Sequence, residues 1–355
     1  MNFSTENAGT AFLALSQAVM QQGHIIQSRQ GLKVRELTGV TVQINKPLQR
    51  VICLPERHNN IFATVFETLW VLGGRNDIES LSFYLPRAGD YSDDGKTWRG
   101  GYGPRLRNWQ GVDQVERVIE LLKEDPDSRR AVISLFDPAT DFENSLDIPC
   151  NNWLQFLIRD NKLIMHVAQR SCDVLWGFSG INTFEWSVLQ ETISNILGVE
   201  MGHVTWFIGS AHLYENTWDR VNKMLSHIGR LFQEMYPLGI RPVQMALIRP
   251  HLENLDAQLD SFFSMESDIR IHKYDWEDVI RDIVNPFIRN ALWMMLIYNN
   301  IKDVDFVSNI VNREMDDSDL KTAVIEYLTR TNNVNIYKIR HGVDSLFLNQ
   351  FPDLK

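Results

Sequence analysis

At 355 residues the chain is long enough for one large domain or two ordinary ones. Its 44% hydrophobic and 23% charged content is that of a soluble globular protein. The net charge of -10 argues against a nucleic-acid polymer as partner, since such binding needs a basic face. A mononucleotide is still admitted, because a local arginine cluster can operate inside an acidic protein. Three cysteines (Cys53, Cys150, Cys172) form an odd set without framework spacing, which points to a reducing compartment. The start Met1-Asn2-Phe3-Ser4-Thr5-Glu6 has no basic stretch followed by an apolar one, so no signal peptide is read. The longest apolar run, Ala291 to Tyr298, is eight residues, too short to span a bilayer. No membrane partner and a cytoplasmic location are expected.

Helical periodicity runs from Asn60 to Leu72 and stops at Gly73-Gly74, a plausible C-terminal cap. Pro86 to Gly103 is rich in Gly, Asp and Ser and reads as a long loop, a type more often functional than idle. Val112 to Lys123 repeats Val115, Val118, Ile119 and Leu122 at helical spacing. Ala131 to Phe136 reads as a buried strand. Trp153 to Ile158 and Leu163 to Ala168 read as two strands joined through Asp160-Asn161, a hairpin signal. A long apolar helix is expected over Asn182 to Leu197, capped by Gly198, then a strand over His203 to Ile208. Beyond Arg220, helices are expected over Trp276 to Val284, Phe287 to Tyr298 and Leu320 to Thr329, with Pro286 punctuating the first two.

The chemistry concentrates between Ser128 and Tyr214. Ser128-Arg129-Arg130, Ile148-Pro149-Cys150, Gln169-Arg170-Ser171-Cys172-Asp173 and His212-Leu213-Tyr214 place one thiol among several guanidiniums. A thiolate needs positive charge nearby to ionise at neutral pH, and Arg captures phosphate in two-pronged fashion. A cysteine that attacks a phosphorylated substrate requires this mixture. No Cys/His grouping has zinc spacing and no phosphate-loop pattern occurs, so no metal is implied.

The order and spacing of these motifs resemble the thymidylate synthase family, which alkylates C5 of a pyrimidine nucleotide using a folate. The resemblance is dense from about Gly101 to Arg220, thinner from about Gly23 to Gly74, and leaves roughly the last third uncovered. It implies an α+β fold: a large twisted mixed sheet with helices on one face, dimerising through the sheet. Residues 1–220 would form the catalytic core. Residues 221–355 would be a divergent, mainly helical part that completes or extends the same domain.

By the same resemblance, Cys150 adds to C6 of the ring and so makes C5 nucleophilic. Arg29, Arg170 and Ser171 hold the substrate phosphate, and Arg129 and Arg130 reach that of a neighbouring subunit. Asn182 reads the base, its amide matching the N3–H donor and O4 acceptor of uracil. One extra residue between Gly177 and Asn182 is needed to align it; otherwise Ile181 takes the position. Glu67 shuttles a proton at O4, Tyr102 helps to remove the C5 proton, and Asp173 holds the pterin. His212 and Tyr214 bind the sugar hydroxyl.

Four departures from the family pattern bear on the outcome. Asn151 stands where His is usual after the nucleophile, and Ser210 stands where Asp is usual. Pro86 to Gly101 supplies only Trp98 instead of two tryptophans, and the short apolar tail that seals the site is not found. After one-carbon transfer the ring carries a reactive exocyclic methylene, and exclusion of water decides its fate. The departures favour water, hence 5-hydroxymethylation of dUMP or dCMP with 5,10-methylenetetrahydrofolate as co-substrate, as in enzymes serving bacteriophages in their host's cytoplasm. Two alternatives stay open: ordinary thymidylate synthesis, and a catalytically silent homologue acting as a nucleotide-binding or regulatory protein.

Overall fold

The computed structural model describes residues 1–29, 31–228, 232–247, 251–271, 275–331 and 343–354. It begins with strand β1 (Asn2–Thr5), helix α1 (Ala8–Gln22), and strands β2 (His24–Gln27) and β3 (Lys33–Ile44). Helices α2 (Ile61–Leu72), α3 (Ile78–Tyr84), α4 (Tyr102–Arg107) and α5 (Gln114–Glu124) follow. The middle of the chain alternates β4 (Val132–Ser134), β5 (Asn151–Arg159), β6 (Lys162–Gln169), β7 (Cys172–Asp173), α6 (Thr183–Leu197) and β8 (Glu200–Tyr214). The remainder is helical: α7 (Trp218–His227), α8 (Leu252–Arg270), α9 (Glu277–Arg281), α10 (Pro286–Asn299), α11 (Val304–Arg313), α12 (Asp319–Arg330) and α13 (Val343–Leu348).

The strands form one mixed sheet in the order β1-β3-β8-β6-β5-β4. The pairs β1/β3 and β6/β8 are parallel, and β3/β8, β5/β6 and β4/β5 are antiparallel. Asp160 and Asn161 join β5 to β6 with φ of 51° and 58°, the paired left-handed conformation that matches the twist of a hairpin. Leu154, Phe156, Met165, Val167, Val204 and Trp206 are fully buried on one face, where α1 and α6 pack. The opposite face carries Trp153, Gln155, His166 and Phe207, half-buried or exposed. Strand alternation produces this division directly.

Helix α2 is buried almost all round, as its near-continuous apolar sequence requires. It packs against α4, α6, α10 and α12, so chain from both halves encloses it. Asn60 caps its N-terminus by accepting from the Ala63 N–H, and Gly74 turns the chain away with a φ of 72°. Among the described residues no helix is long and apolar enough to cross a membrane.

Three expectations shift. Ala131 to Phe136 is not a continuous buried strand: β4 spans three residues at the sheet edge, with Val132 and Ser134 exposed and Ile133 buried. Trp276 to Val284 holds only the five-residue α9 before Pro286 begins α10. The loop from Pro86 to Gly103 contains a 3-10 turn over Ala88–Tyr91, and its last residues already belong to α4.

Candidate active site

Cys150 lies just before β5, beside the C-terminal end of β6. The Arg170 backbone N–H donates to the Cys150 carbonyl at 2.9 Å. Its guanidinium Nε donates to the Pro149 carbonyl at 2.9 Å, and Nη2 donates to the Ile148 carbonyl at 2.8 Å. Nη2 also lies 3.9 Å from the Cys150 sulfur. Burial pushes the thiol above its ordinary range, Arg170 opposes that, and Asp147 and Asp173 reinforce it. Burial thus works against the thiolate and the Arg170 guanidinium works for it.

Glu67, Trp70, Trp98, Tyr102 and Asp147 line a cleft of about 150 Å³ that reaches Cys150. Burial raises the Glu67 carboxyl to about 8, with Asp147 adding to the effect. Glu67 thus favours its protonated form at neutral pH, unlike the solvated helix charge that its residue type alone suggests. The Tyr102 hydroxyl accepts from the Asn151 backbone N–H at 3.1 Å and from Asn151 Nδ2 at 2.7 Å. Its own proton is left to donate into the cleft. The Gly101-Tyr102-Gly103 sequence has a steric reason: a Cβ on Gly103 would stand 2.3 Å from the Arg75 carbonyl oxygen. Trp70 meets Trp98 edge to face at 5.6 Å, so the second tryptophan at the cleft comes from α2.

The segment before Asn182 is a π-helix over Val174–Asn182, not a glycine-rich turn. A π-helix is an α-helix with a residue inserted, so the extra residue is absorbed locally. Asn182 is buried and does not cap α6 through its side chain. Instead Oδ1 accepts from Gln169 Nε2 at 3.0 Å, and Nδ2 donates to Glu185 Oε1 at 2.9 Å. The Thr64 hydroxyl donates to the Gly180 carbonyl at 2.7 Å and so fastens the π-helix to α2. Asn151 Oδ1, Gln169 Oε1 and Glu185 Oε2 are buried without a hydrogen-bond partner.

Asp173 starts the π-helix, its Oδ1 accepting from the Leu175 and Trp176 N–H groups at 2.9 and 3.0 Å. Burial raises the Asp173 carboxyl, opposed by those N–H groups, His212 and Arg57. His212 stands opposite Asp173 in the β7/β8 register, and its ring meets Tyr214 edge to face at 5.2 Å. Trp176, half exposed, has Arg57 and Arg220 guanidiniums 5.7 and 5.3 Å from its ring centroid. Among the described residues no group of three or more His, Cys, Asp or Glu could hold a metal ion.

Arg29 is exposed, with Nη1 3.4 Å from the Ser145 carbonyl; its neighbour Gln30 lies outside the described residues. Ser171 is half-buried beside Arg170. Arg129 and Arg130 are exposed and stand apart from the others. Val132 pairs with Gln155, which sets Arg130 level with Leu157, seven residues along β5 from Cys150. At about 3.3 Å per residue that is roughly 23 Å. Glu185, Asp147, Trp70, Arg57 and Arg220 join the site without having been singled out, and Gln169, quoted only as part of its motif, joins through Asn182. Of the former, Glu185 carried a visible signal, a carboxylate between Phe184 and Trp186 in an apolar run.

A family model described as thymidylate synthase matches residues 10–284. The chain belongs to the thymidylate synthase family. Its family relatives include the deoxyuridylate hydroxymethyltransferase of Delftia phage PhiW-14, 40% identical over 219 residues, 58% of this chain and 59% of that protein. The protein of the same name from Bacillus phage SP01 is 31% identical over 266 residues, 72% of this chain and 68% of that one. A third, from Pseudomonas phage M6, is 38% identical over 213 residues, 59% of this chain and 61% of its own. The matched segment thus spans 59% to 68% of these relatives' lengths.

Proposed function

We propose that the protein transfers a one-carbon unit to C5 of deoxyuridylate and that the product is the 5-hydroxymethyl nucleotide. The observation that carries this reading is the single cleft that joins the Cys150 thiol, the protonated Glu67 carboxyl and the Tyr102 hydroxyl, with Arg170 3.9 Å from the sulfur. Arg170, Arg29 and Ser171 hold the phosphate, and its negative charge competes for the guanidinium that now clamps the Ile148 and Pro149 carbonyls. Cys150 adds to C6, Glu67 delivers its proton toward O4, and Tyr102 serves the C5 proton. Asn182 reads the base, and His212 and Tyr214 take the sugar hydroxyl.

The site also fits a folate. The half-exposed Trp176 indole beside Asp173 offers a stacking surface for a flat ring system, and Arg220, 5.3 Å from its centroid, a counter-charge for an anionic tail. When bound, 5,10-methylenetetrahydrofolate supplies the carbon at the oxidation level of formaldehyde. Asp173 and Trp176 then orient it over the cleft.

The hydroxymethyl outcome is supported by how the cleft is covered. Among the described residues, those lining it lie between Glu67 and Cys150 and none belongs to the C-terminal helices. Phe351 and Leu354 pack into the core, with the last turn against α12. The relatives' shared name favours the same product.

The helices after Arg220 complete the catalytic domain, since their apolar side chains join the core formed by α2 and the sheet. The uncovered face with Trp153 and Phe207 forms a homodimer, which lets Arg129 and Arg130 serve the partner's phosphate. The test is mass spectrometry of the nucleotide after incubation with methylenetetrahydrofolate and deoxyuridylate or deoxycytidylate. A gain of CH2O on deoxyuridylate, with tetrahydrofolate released, is expected. A gain of CH2 with dihydrofolate released refutes hydroxymethylation, and no change of mass refutes the transfer.

A further inference from the structure

Uracil and cytosine differ at the edge Asn182 would face. Uracil donates at N3 and accepts at O4; cytosine accepts at N3 and donates at its amino group. A primary amide can serve either base, because a half-turn about its last torsion exchanges oxygen and nitrogen. Something outside the amide must therefore fix which way round it sits.

The neighbours of Asn182 are not equivalent in this respect. Gln169 is itself an amide, and its Oε1 is buried without a partner. If both amides turned over together, Gln169 would accept from Asn182 instead of donating, and their mutual bond would survive. Glu185 is different. Its Oε1 accepts from Asn182 Nδ2 at 2.9 Å, and Oε2 is buried with no partner. An ionised carboxyl has no donor. A proton carried on Oε2 leaves Oε1 a carbonyl oxygen, still an acceptor. A proton on Oε1 would instead donate to an amide oxygen, but the 2.9 Å approach of the Asn182 Nδ2 donor keeps it off that atom, so Oε1 takes the nitrogen of Asn182 and turns Oδ1 toward Gln169.

We infer that Glu185 is a positioning residue for specificity: it sets the polarity of the Asn182 amide and so selects uracil over cytosine. The inference rests on the reading that Asn182 faces the base. It adds a determinant at α6, three residues from the reader and one turn deeper in the protein. A carboxylate here is costly to bury, and fixing an otherwise symmetric pair of amides gives it a role.

Calorimetric titration of the full chain with deoxyuridylate and deoxycytidylate tests this without depending on turnover. The wild type prefers deoxyuridylate. In Glu185→Gln, which keeps the volume and supplies an amide that fits either orientation, that preference narrows by about tenfold or more, as expected when a buried polar reader loses its fixed sense. The loss falls on deoxyuridylate while deoxycytidylate binding holds or improves. Adding Gln169→Glu moves the obligate acceptor to the other side of Asn182 and reverses the preference. An unchanged ratio in Glu185→Gln, or equal weakening of both nucleotides, overturns the inference. Covalent capture of 5-fluorodeoxyuridylate on Cys150 separates the two levels of failure. A wild type that forms the adduct but shows an unchanged ratio in the variant refutes the role of Glu185 alone. A wild type that binds neither nucleotide refutes the site reading and this inference with it.

Discussion

Replacing Glu67 by glutamine keeps the side chain's volume and removes its charge. Burial raises this carboxyl from its ordinary 4.5 to about 8 in the folded protein. Between those values the folded state keeps the proton and the unfolded chain has lost it. The folded state therefore binds more protons, and wild-type stability falls as pH rises from about 4.5 toward 8. At about 1.4 kcal/mol for each tenfold change, the displacement is worth at most about 5 kcal/mol above pH 8, and about 3 kcal/mol at pH 7. Glu67 borders the cleft, and water there weakens the effect, so about 2–3 kcal/mol is expected at pH 8. The variant lacks this titration, so it should match the wild type near pH 5 and become more stable with rising pH. Urea unfolding at pH 5, 6, 7 and 8 measures the difference; the Glu67 charge also helps to raise the Glu185 carboxyl, so its removal relieves Glu185 and adds to the variant's gain. Parallel stability curves for the two proteins would refute the assignment of a raised ionisation to Glu67. Turnover should fall in the same variant, since glutamine cannot deliver a proton.

Cys150→Ala should abolish turnover and the 5-fluorodeoxyuridylate adduct seen by intact mass, while nucleotide binding remains measurable by calorimetry. Arg170→Ala removes the cation that opposes the burial of the thiol, so alkylation of Cys150 by iodoacetamide should need higher pH than in the wild type, read from the rate–pH profile. Asp141→Asn leaves Arg105, which it binds through both oxygens at 2.7 and 2.8 Å, buried without a counter-charge. A loss of about 3–5 kcal/mol in chemical denaturation is expected. Mixing inactive Cys150→Ala with inactive Arg129→Ala/Arg130→Ala under subunit exchange should restore up to about a quarter of the activity if sites are shared, the statistical share with one intact site per heterodimer. No recovery would place both arginines outside the partner's site.

Local rules made much of this legible. Asn60 to Leu72 carries its own cap and stop, and the Asp160-Asn161 hairpin carries its own turn chemistry, so both elements stand where the sequence puts them. Cys150, Glu67 and Tyr102 come from three separate segments and line one cleft. What local pattern could not give is lateral context. Strand β8 runs on past Ile208 through His212 and Tyr214 because β3 and β7 pair with it there. Ala131 to Phe136 looks like a core strand by composition, but its place at the sheet edge exposes alternate residues. Glu185 and Gln169 matter through Asn182 alone, a relation that no periodicity encodes.

The π-helix over Val174–Asn182 makes length a variable of the site in its own right. Dropping one residue between Gly177 and Asn182 would let the segment regularise to an α-helix. The residues before Asn182 would then turn about 100° round the axis relative to α6, which carries Asn182 and Glu185 together. Helix α6, with its own Gly198 cap, would be untouched. A substitution in this segment changes one set of contacts, whereas a change of one in the count re-registers every side chain before Asn182 against α2 and the sheet, so its length is more tightly constrained than its side chains.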